Sequence, residues 1–187
     1  MSTLTSTAPQ PGTGSKDGAD TSLLQYLDLS QLNCLNEASD HTLKSILDSK
    51  SLNKSTNHLL SDADEQLLLN IPFNQTVRVR SIVIRSANEE QAPRELKILA
   101  NRPNVGFADV EDAEEPAVAQ VLTISESNTR DGAPIGLRYV RFQAVNTLHI
   151  FVATNGGADE TRIDAIDIFG IPAETTKDLS GLRKQED

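Results

Sequence analysis

The chain of 187 residues has one cysteine, one methionine, no tryptophan, five phenylalanines and two tyrosines. With Cys34 alone, these residues cannot close an internal disulfide, form a Cys-x-x-Cys redox pair or build a multi-cysteine zinc site. The shortage of aromatics leaves any core to Leu, Ile and Val, which recur from residue 23 to residue 171. Basic residues are also few: 17 Lys and Arg stand against 27 Asp and Glu, a formal net charge of −10. Duplex binding needs clustered cations to neutralise phosphates, so nucleic acid is not an expected partner. No apolar run approaches the ~20 residues that a helix needs to cross a bilayer. The N-terminal MSTLTSTAPQPGTGSKDGAD lacks the basic start and apolar centre of a secretory signal. The expectation is a soluble intracellular protein, cytoplasmic and/or nuclear, with no membrane partner.

What is there reads as one domain between two polar tails. Residues 1–20 hold little that is apolar beyond Met1 and Leu4, too little to offset the entropy of ordering a chain. They are expected to be disordered, and 175–187 to be flexible, leaving a folded domain over 21–174. Within the first tail, GTGSKDG has neither the Gly-Lys-Ser/Thr ending nor the flanking strand and helix of a phosphate loop. In SDHTLKSILDS, Ser39 or Asp40 can cap a short helix near 41–48 that puts Leu43, Ile46 and Leu47 on one face.

From residue 65 onward, short apolar runs bounded by Asn, Asp, Gly and Pro read as strands at 66–71, 77–84, 95–99, 117–124, 137–143, 148–153 and 162–169. Most alternate with period two, as Leu148, Ile150 and Val152 do. In VRVRSIVIR the phase changes between Val79 and Ile82, which a bulge near Arg80–Ser81 or burial of both faces would reconcile. Ile163 has the opposite parity to Ile166 and Ile168 and poses the same choice. Many strands with polar turns and little helix indicate an all-β chain, an antiparallel β-sandwich or jelly roll.

The polar constellations are weak as chemistry. Counted as a calcium loop from Asp62, SDADEQLLLNIPF places Leu67 where a glycine is needed and Phe73 where the bidentate carboxylate belongs. It reads as a turn entering a strand. GFADVEDAEEPA carries Asp109, Glu111, Asp112, Glu114 and Glu115 without an intervening cation, a solvated loop by default and a docking candidate otherwise. Phe107 is expected to anchor that loop. His41, His58 and His149 are too far apart in sequence to form a metal motif by spacing. His149 faces away from Leu148 and Ile150, which suits a surface or second-layer role. Cys34, between Asn33 and Leu35, reads as a buried inert thiol. In TNGGADETRIDAIDIFGIP, Asn155, Gly156 and Gly157 supply turn residues, and Asp164 and Asp167 project from opposite faces of a strand. The segment reads as a closing strand, with Asn155, Asp159 and Glu160 left for partner contact. Arg138 and Arg141 would lie on opposite faces of a regular strand, whereas Arg78 and Arg80 would share one. No nucleophile, base and orienting group assemble, so no enzyme activity, cofactor or metal is expected.

Several stretches together resemble the PITH domain, the C-terminal module of proteasome-interacting thioredoxin-like proteins that is also found alone. They are LNCLNE, SDADEQLLLNIPF (61–73), APRELKILANRP (92–103) followed by GFADVED, LRYVRFQAVNTLHIFVATNGG (137–157) and TRIDAIDIFGIP (161–172). They span about residues 23–175. The resemblance implies a galactose-binding-like jelly roll and association with subunits of the proteasome regulatory particle. With no CxxC in these residues, the disulfide-reductase activity of two-domain members does not carry over, and a stand-alone member is expected. The functional expectation is a non-enzymatic protein-interaction module. The alternative is a lectin-like carbohydrate-binding module, suggested only by the implied fold.

Overall fold

A computed structural model describes residues 19–173. Most of the two expected tails, and GTGSKDG with them, lies outside these residues. Among the described residues, ten strands run in the order β1 (Thr21–Ser22), β2 (Asn33–Leu35), β3 (Leu59–Leu60), β4 (Leu67–Arg85), β5 (Pro93–Ala100), β6 (Gln120–Thr123), β7 (Ile135–Gly136), β8 (Val145–Asn155), β9 (Arg162–Ile163) and β10 (Ala165–Pro172). Every pairing is antiparallel.

The fold turns on β4, whose 19 residues serve both layers of a sandwich. Its first half, through Pro72, pairs with β2 on one side and β8 on the other, and β8 continues to β5 and β6. Its second half pairs with β10 and β7, and β10 with β1. The ladder with β8 shifts register between Pro72 and Val77, where Asn74 and Gln75 are exposed. Leu67, Leu69, Ile71, Val77, Val79, Ile82 and Ile84 from both halves join one buried cluster with Leu96, Ile98, Leu148, Ile150, Val152, Ile166 and Ile168. The stretches read as separate strands at 66–71 and 77–84 are thus one bent strand.

The phase change in VRVRSIVIR is a bulge. Phe169 lies opposite Ser81 and Gly170 opposite Val79, so Arg80 is the extra residue. It lets Val79 and Ile82 both point inward. Gly170 makes this possible, since a Cβ there would overlap the Arg78 carbonyl oxygen. At Ile163 the chain breaks differently. Asp164 interrupts the strand, with its N–H donating to Arg85 O at 2.7 Å. The short β9 before it pairs with β3, and Ile163 enters the main core with Ile166 and Ile168.

The expected helix is α1 (Leu43–Leu47), with Leu43, Ile46 and Leu47 buried. Thr42, rather than Ser39 or Asp40, caps it, accepting from Ser45 N at 3.2 Å. Two further short helices, α2 (Phe107–Val110) and α3 (Glu126–Asp131), sit in loops where no helical period is visible. The strand expected at 137–143 does not form. Tyr139–Arg141 is a 3-10 turn between buried Leu137 and Phe142. Leu137 and Phe142 are five residues apart, so a regular strand would put them on opposite faces; the turn lets both point inward and leaves 138–141 exposed. The strand expected at 117–124 is limited to β6.

Candidate functional site

Part of the outer face of the β4–β8–β5 sheet is covered. Leu68, Phe151 and Leu99 project from it and pack with Val110 and Val118 into a second cluster under the chain linking β5 to β6. Phe107 closes on Phe151 edge-to-face, ring centroids 6.0 Å apart and planes at 67°. The acidic loop expected to be anchored by Phe107 is therefore laid across the sheet, not suspended from it.

Lys97 fixes this loop from below. It rises from β5 opposite Phe151 and is 7% exposed. Its Nζ donates to Val110 O at 3.0 Å, Glu111 O at 2.8 Å and Ala113 O at 2.7 Å. Three donors meet three carbonyls at the end of α2, which satisfies both the helix terminus and the buried amine. Nothing in the sequence marks Lys97, since a lysine in PRELKILA alternates as a solvent-facing residue would.

The five acidic residues of the loop divide by task. The Asp109 carboxylate accepts from Gly106 N at 2.8 Å and holds the start of α2. Glu115 accepts from Val121 N at 3.2 Å and from Arg138 Nη1 at 2.6 Å. Arg141 Nη2 donates to Pro116 O at 3.1 Å. Because 138–141 is a turn, Arg138 and Arg141 reach the same loop, contrary to the opposite faces that a strand would impose. Glu111, Asp112 and Glu114 remain exposed on this fixed loop.

The second candidate segment is also rigid. Asn155 Nδ2 donates to Ala158 O, Glu160 O and Thr161 Oγ1, and its Oδ1 accepts from Gly157 N. Its side chain is engaged inside the turn, which leaves Asp159 and Glu160 as the exposed groups there. Gly156 passes so close to the 86–92 loop that a Cβ would overlap Glu89 O, and Gly157 has φ +121. Thr154, Asn155, Gly157, Ala158 and Asp159 form one wall of a cleft of about 570 Å³, opposite Ala63, Asp64 and Glu65. The polar turn expected to enter the strand in SDADEQLLLNIPF is present: Asp64 Oδ1 accepts from Asn36 Nδ2 at 2.9 Å and from Gln66 N at 3.0 Å. Asp164 and Asp167 also diverge. Asp164 receives Arg162 and the Ala87 amide, while Asp167 receives the Ser22 hydroxyl at 2.6 Å.

A second cleft, of about 360 Å³, lies on the outer face near β2. Asn33, Asn70 and His149 occupy one rung across β2, β4 and β8. Arg102 N–H donates to His149 Nε2 at 3.1 Å, which assigns the ring proton to Nδ1. That proton goes to Asn70 Oδ1 at 2.7 Å, Asn70 Nδ2 donates to Asn33 Oδ1 at 2.8 Å, and Asn33 Nδ2 donates to Gln31 O at 3.2 Å. His149 is thus a second-layer residue, buried at 3% exposed. Burial, then the nearby Arg102 charge, lowers its pKa to about 4.

Cys34 is buried as expected, and desolvation, with the Glu37 carboxylate adding, pushes its thiol well above the ordinary range. His41 and His58 come together, rings stacked at 4.1 Å. Burial and then the Arg162 charge lower the pKa of His58. Among the described residues, no three His, Cys, Asp or Glu side chains gather as metal ligands. No helix there is long and apolar enough to cross a membrane.

Solved structures share this sandwich at low identity. A family 32 carbohydrate-binding module from Clostridium perfringens NanJ, solved with galactose, aligns over 81% of this chain and 99% of its own, with TM-score 0.57 and 11% identity. The CBM32-1 and CBM32-2 domains of ZmpB from the same organism, solved with GalNAc, give TM-score 0.57 at 13% identity, covering 79% of this chain and 35% of theirs. The fold is therefore of the galactose-binding-like kind, and the likeness extends to fold alone. Thioredoxin-like protein 1 of Schizosaccharomyces pombe is 36% identical over 171 residues, 89% of this chain and 54% of that protein. The chain thus spans about half the length of that relative. PITH domain-containing protein CG6153 of Drosophila melanogaster is 33% identical over 154 residues, 82% of this chain and 71% of its own. PITH domain-containing protein 1 of Homo sapiens is 31% identical, covering 77% of this chain and 66% of its own. The profile of the PITH domain matches residues 13–187. With that match over nearly its whole length, the chain belongs to the PITH domain family.

Proposed function

We propose that this chain is a non-enzymatic protein-interaction module that associates with the regulatory particle of the proteasome, in the cytoplasm and/or nucleus. Membership of the PITH family directs the reading to that assembly. The observation that carries it is the acidic loop, locked to the sheet by Lys97, Phe107 and Arg138, while Glu111, Asp112 and Glu114 face outward. A loop already ordered loses little entropy on docking, and a chain of net charge −10 is steered toward basic surfaces. Asp159 and Glu160 offer a second acidic contact.

The test is binding of the full chain to purified regulatory particle at low and moderate salt, beside a Glu111→Lys, Asp112→Lys, Glu114→Lys triple variant. The expected result is binding that weakens as salt rises, and weakens further in the variant. Absence of binding by the unsubstituted chain at either salt overturns the proposal. The carbohydrate-binding reading finds no matching support, since no Phe, Tyr or Trp lines either cleft described above as a stacking platform, and the His149 ring at the second is buried and hydrogen-bonded at both nitrogens.

A further inference from the structure

Three large apolar side chains are exposed among the described residues, and two are adjacent: Tyr139 at 50% and Val140 at 77%. They occupy the turn that replaces the expected strand at 137–143. The turn is braced at each point. Leu137 and Phe142 are buried on either side, Leu137 N donates to Arg80 O at 2.9 Å, and Val79 N donates to Phe142 O at 3.0 Å. Inside it, Arg141 N donates to Arg138 O and Phe142 N to Tyr139 O. Arg138 N donates to Oε1 of buried Gln120 at 2.7 Å. Tyr139 and Val140 lie outside the core clusters, and the contacts of their neighbours with the core and the acidic loop leave them facing outward.

Charge surrounds the pair asymmetrically. Arg138 and Arg141 flank it, and the Arg80 guanidinium carbon stands 6.0 Å from the Tyr139 ring centroid. Arg80 also pairs with Asp20, Nε to Oδ1 at 3.4 Å, so the three guanidinium groups around the apolar tip stand beside two carboxylates of this chain, Asp20 and Glu115. The turn meets the acidic loop directly, through Arg138 to Glu115 and Arg141 to Pro116. Tyr and Arg on a pre-organised backbone are the residue types that dominate binding energy at protein interfaces.

We propose that the Tyr139–Val140 turn is the anchor of a protein-docking surface, and that the partner is a protein presenting an apolar pocket rimmed by carboxylates. The partner carries basic groups beside that pocket, in register with Glu111, Asp112 and Glu114. This rests on the function proposed above, because it places the anchor of that same association.

The experiment measures affinity of the full chain for purified proteasome regulatory particle, comparing the unsubstituted chain with Tyr139→Ala, Val140→Asp and Val140→Lys. Exposed positions should leave the melting temperature unchanged. Removing a buried apolar anchor weakens binding by ~10-fold or more, so Tyr139→Ala and Val140→Asp should each lose at least that. Val140→Lys should bind at least ~3-fold better than Val140→Asp, because an acidic rim attracts its cation and repels a carboxylate. Affinities of Tyr139→Ala and Val140→Asp within twofold of the unsubstituted chain overturn the anchor while leaving the association intact. Equal losses for Val140→Asp and Val140→Lys overturn the carboxylate rim. Failure of the unsubstituted chain to bind overturns the association, and the anchor with it.

Discussion

Acidification should destabilise this protein through His149, and the size of the effect follows from the site. In the fold, Nε2 accepts the Arg102 N–H and the ring lies beneath the 101–107 loop, so a second proton has no acceptor to meet. Its pKa falls to about 4, against 6.5 in an unfolded chain. The sign is that of a base with a depressed folded pKa. Above 6.5 both states are neutral and the stabilisation is complete. Below 6.5 the unfolded chain takes up a proton that the folded chain refuses, so stability falls until pH passes about 4. At ~1.4 kcal/mol per pKa unit the full loss is about 3 kcal/mol, of which about 2 is gone by pH 5. Urea unfolding at pH 7.5 and pH 5, for the natural chain and His149→Leu, isolates this contribution, because the carboxylates and His58 remain in both. The natural chain should lose about 2 kcal/mol more than the variant over that interval. Equal pH dependence in the two chains, or a His149 ring that titrates by NMR near 6.5, would refute the reasoning.

Three further outcomes follow from particular contacts. Lys97→Met strands three carbonyls at the end of α2, and should cost about 2–4 kcal/mol in denaturant unfolding, with amide exchange rising first over residues 107–113. Gly170→Ala forces a methyl into the Arg78 carbonyl oxygen at the Arg80 bulge, and should cost about 1–3 kcal/mol by the same measurement. Cys34, buried and held protonated, should react with a thiol reagent at neutral pH no faster than the chain unfolds, and Cys34→Ser should leave regulatory-particle binding unchanged. Fast stoichiometric labelling of the folded chain would contradict its placement.

Much of the fold was legible because burial of one sheet face writes period two into the residues. Leu148, Ile150 and Val152 point to the core as their alternation says, and the helix at Leu43–Leu47 shows its buried face. The bulge at Arg80 could be located from the phase change alone, but not distinguished from a strand buried on both faces. The register against Gly170 settles it. Of the candidate docking residues, the acidic positions could be named but not ranked. Their counter-charges lie far away in sequence, so only the fold shows Asp109 and Glu115 engaged and Glu111, Asp112 and Glu114 facing solvent.

The sequence by itself determined the class of the molecule: an all-β sandwich with a Leu, Ile and Val core, a single thiol and an acidic surface. These follow from composition and local period, which every residue carries with it. Only the tertiary structure decided that part of the outer sheet face is covered, that Lys97 is buried, that His149 is a neutral link in a polar rung, and that 137–143 is a turn bearing Tyr139 and Val140 outward. Leu67, Leu68 and Leu69 in unbroken succession are all buried, because both faces of the strand are covered there. What covers the second face is a loop more than thirty residues away. Contacts between distant segments depend on where the whole chain goes, and no local pattern records them.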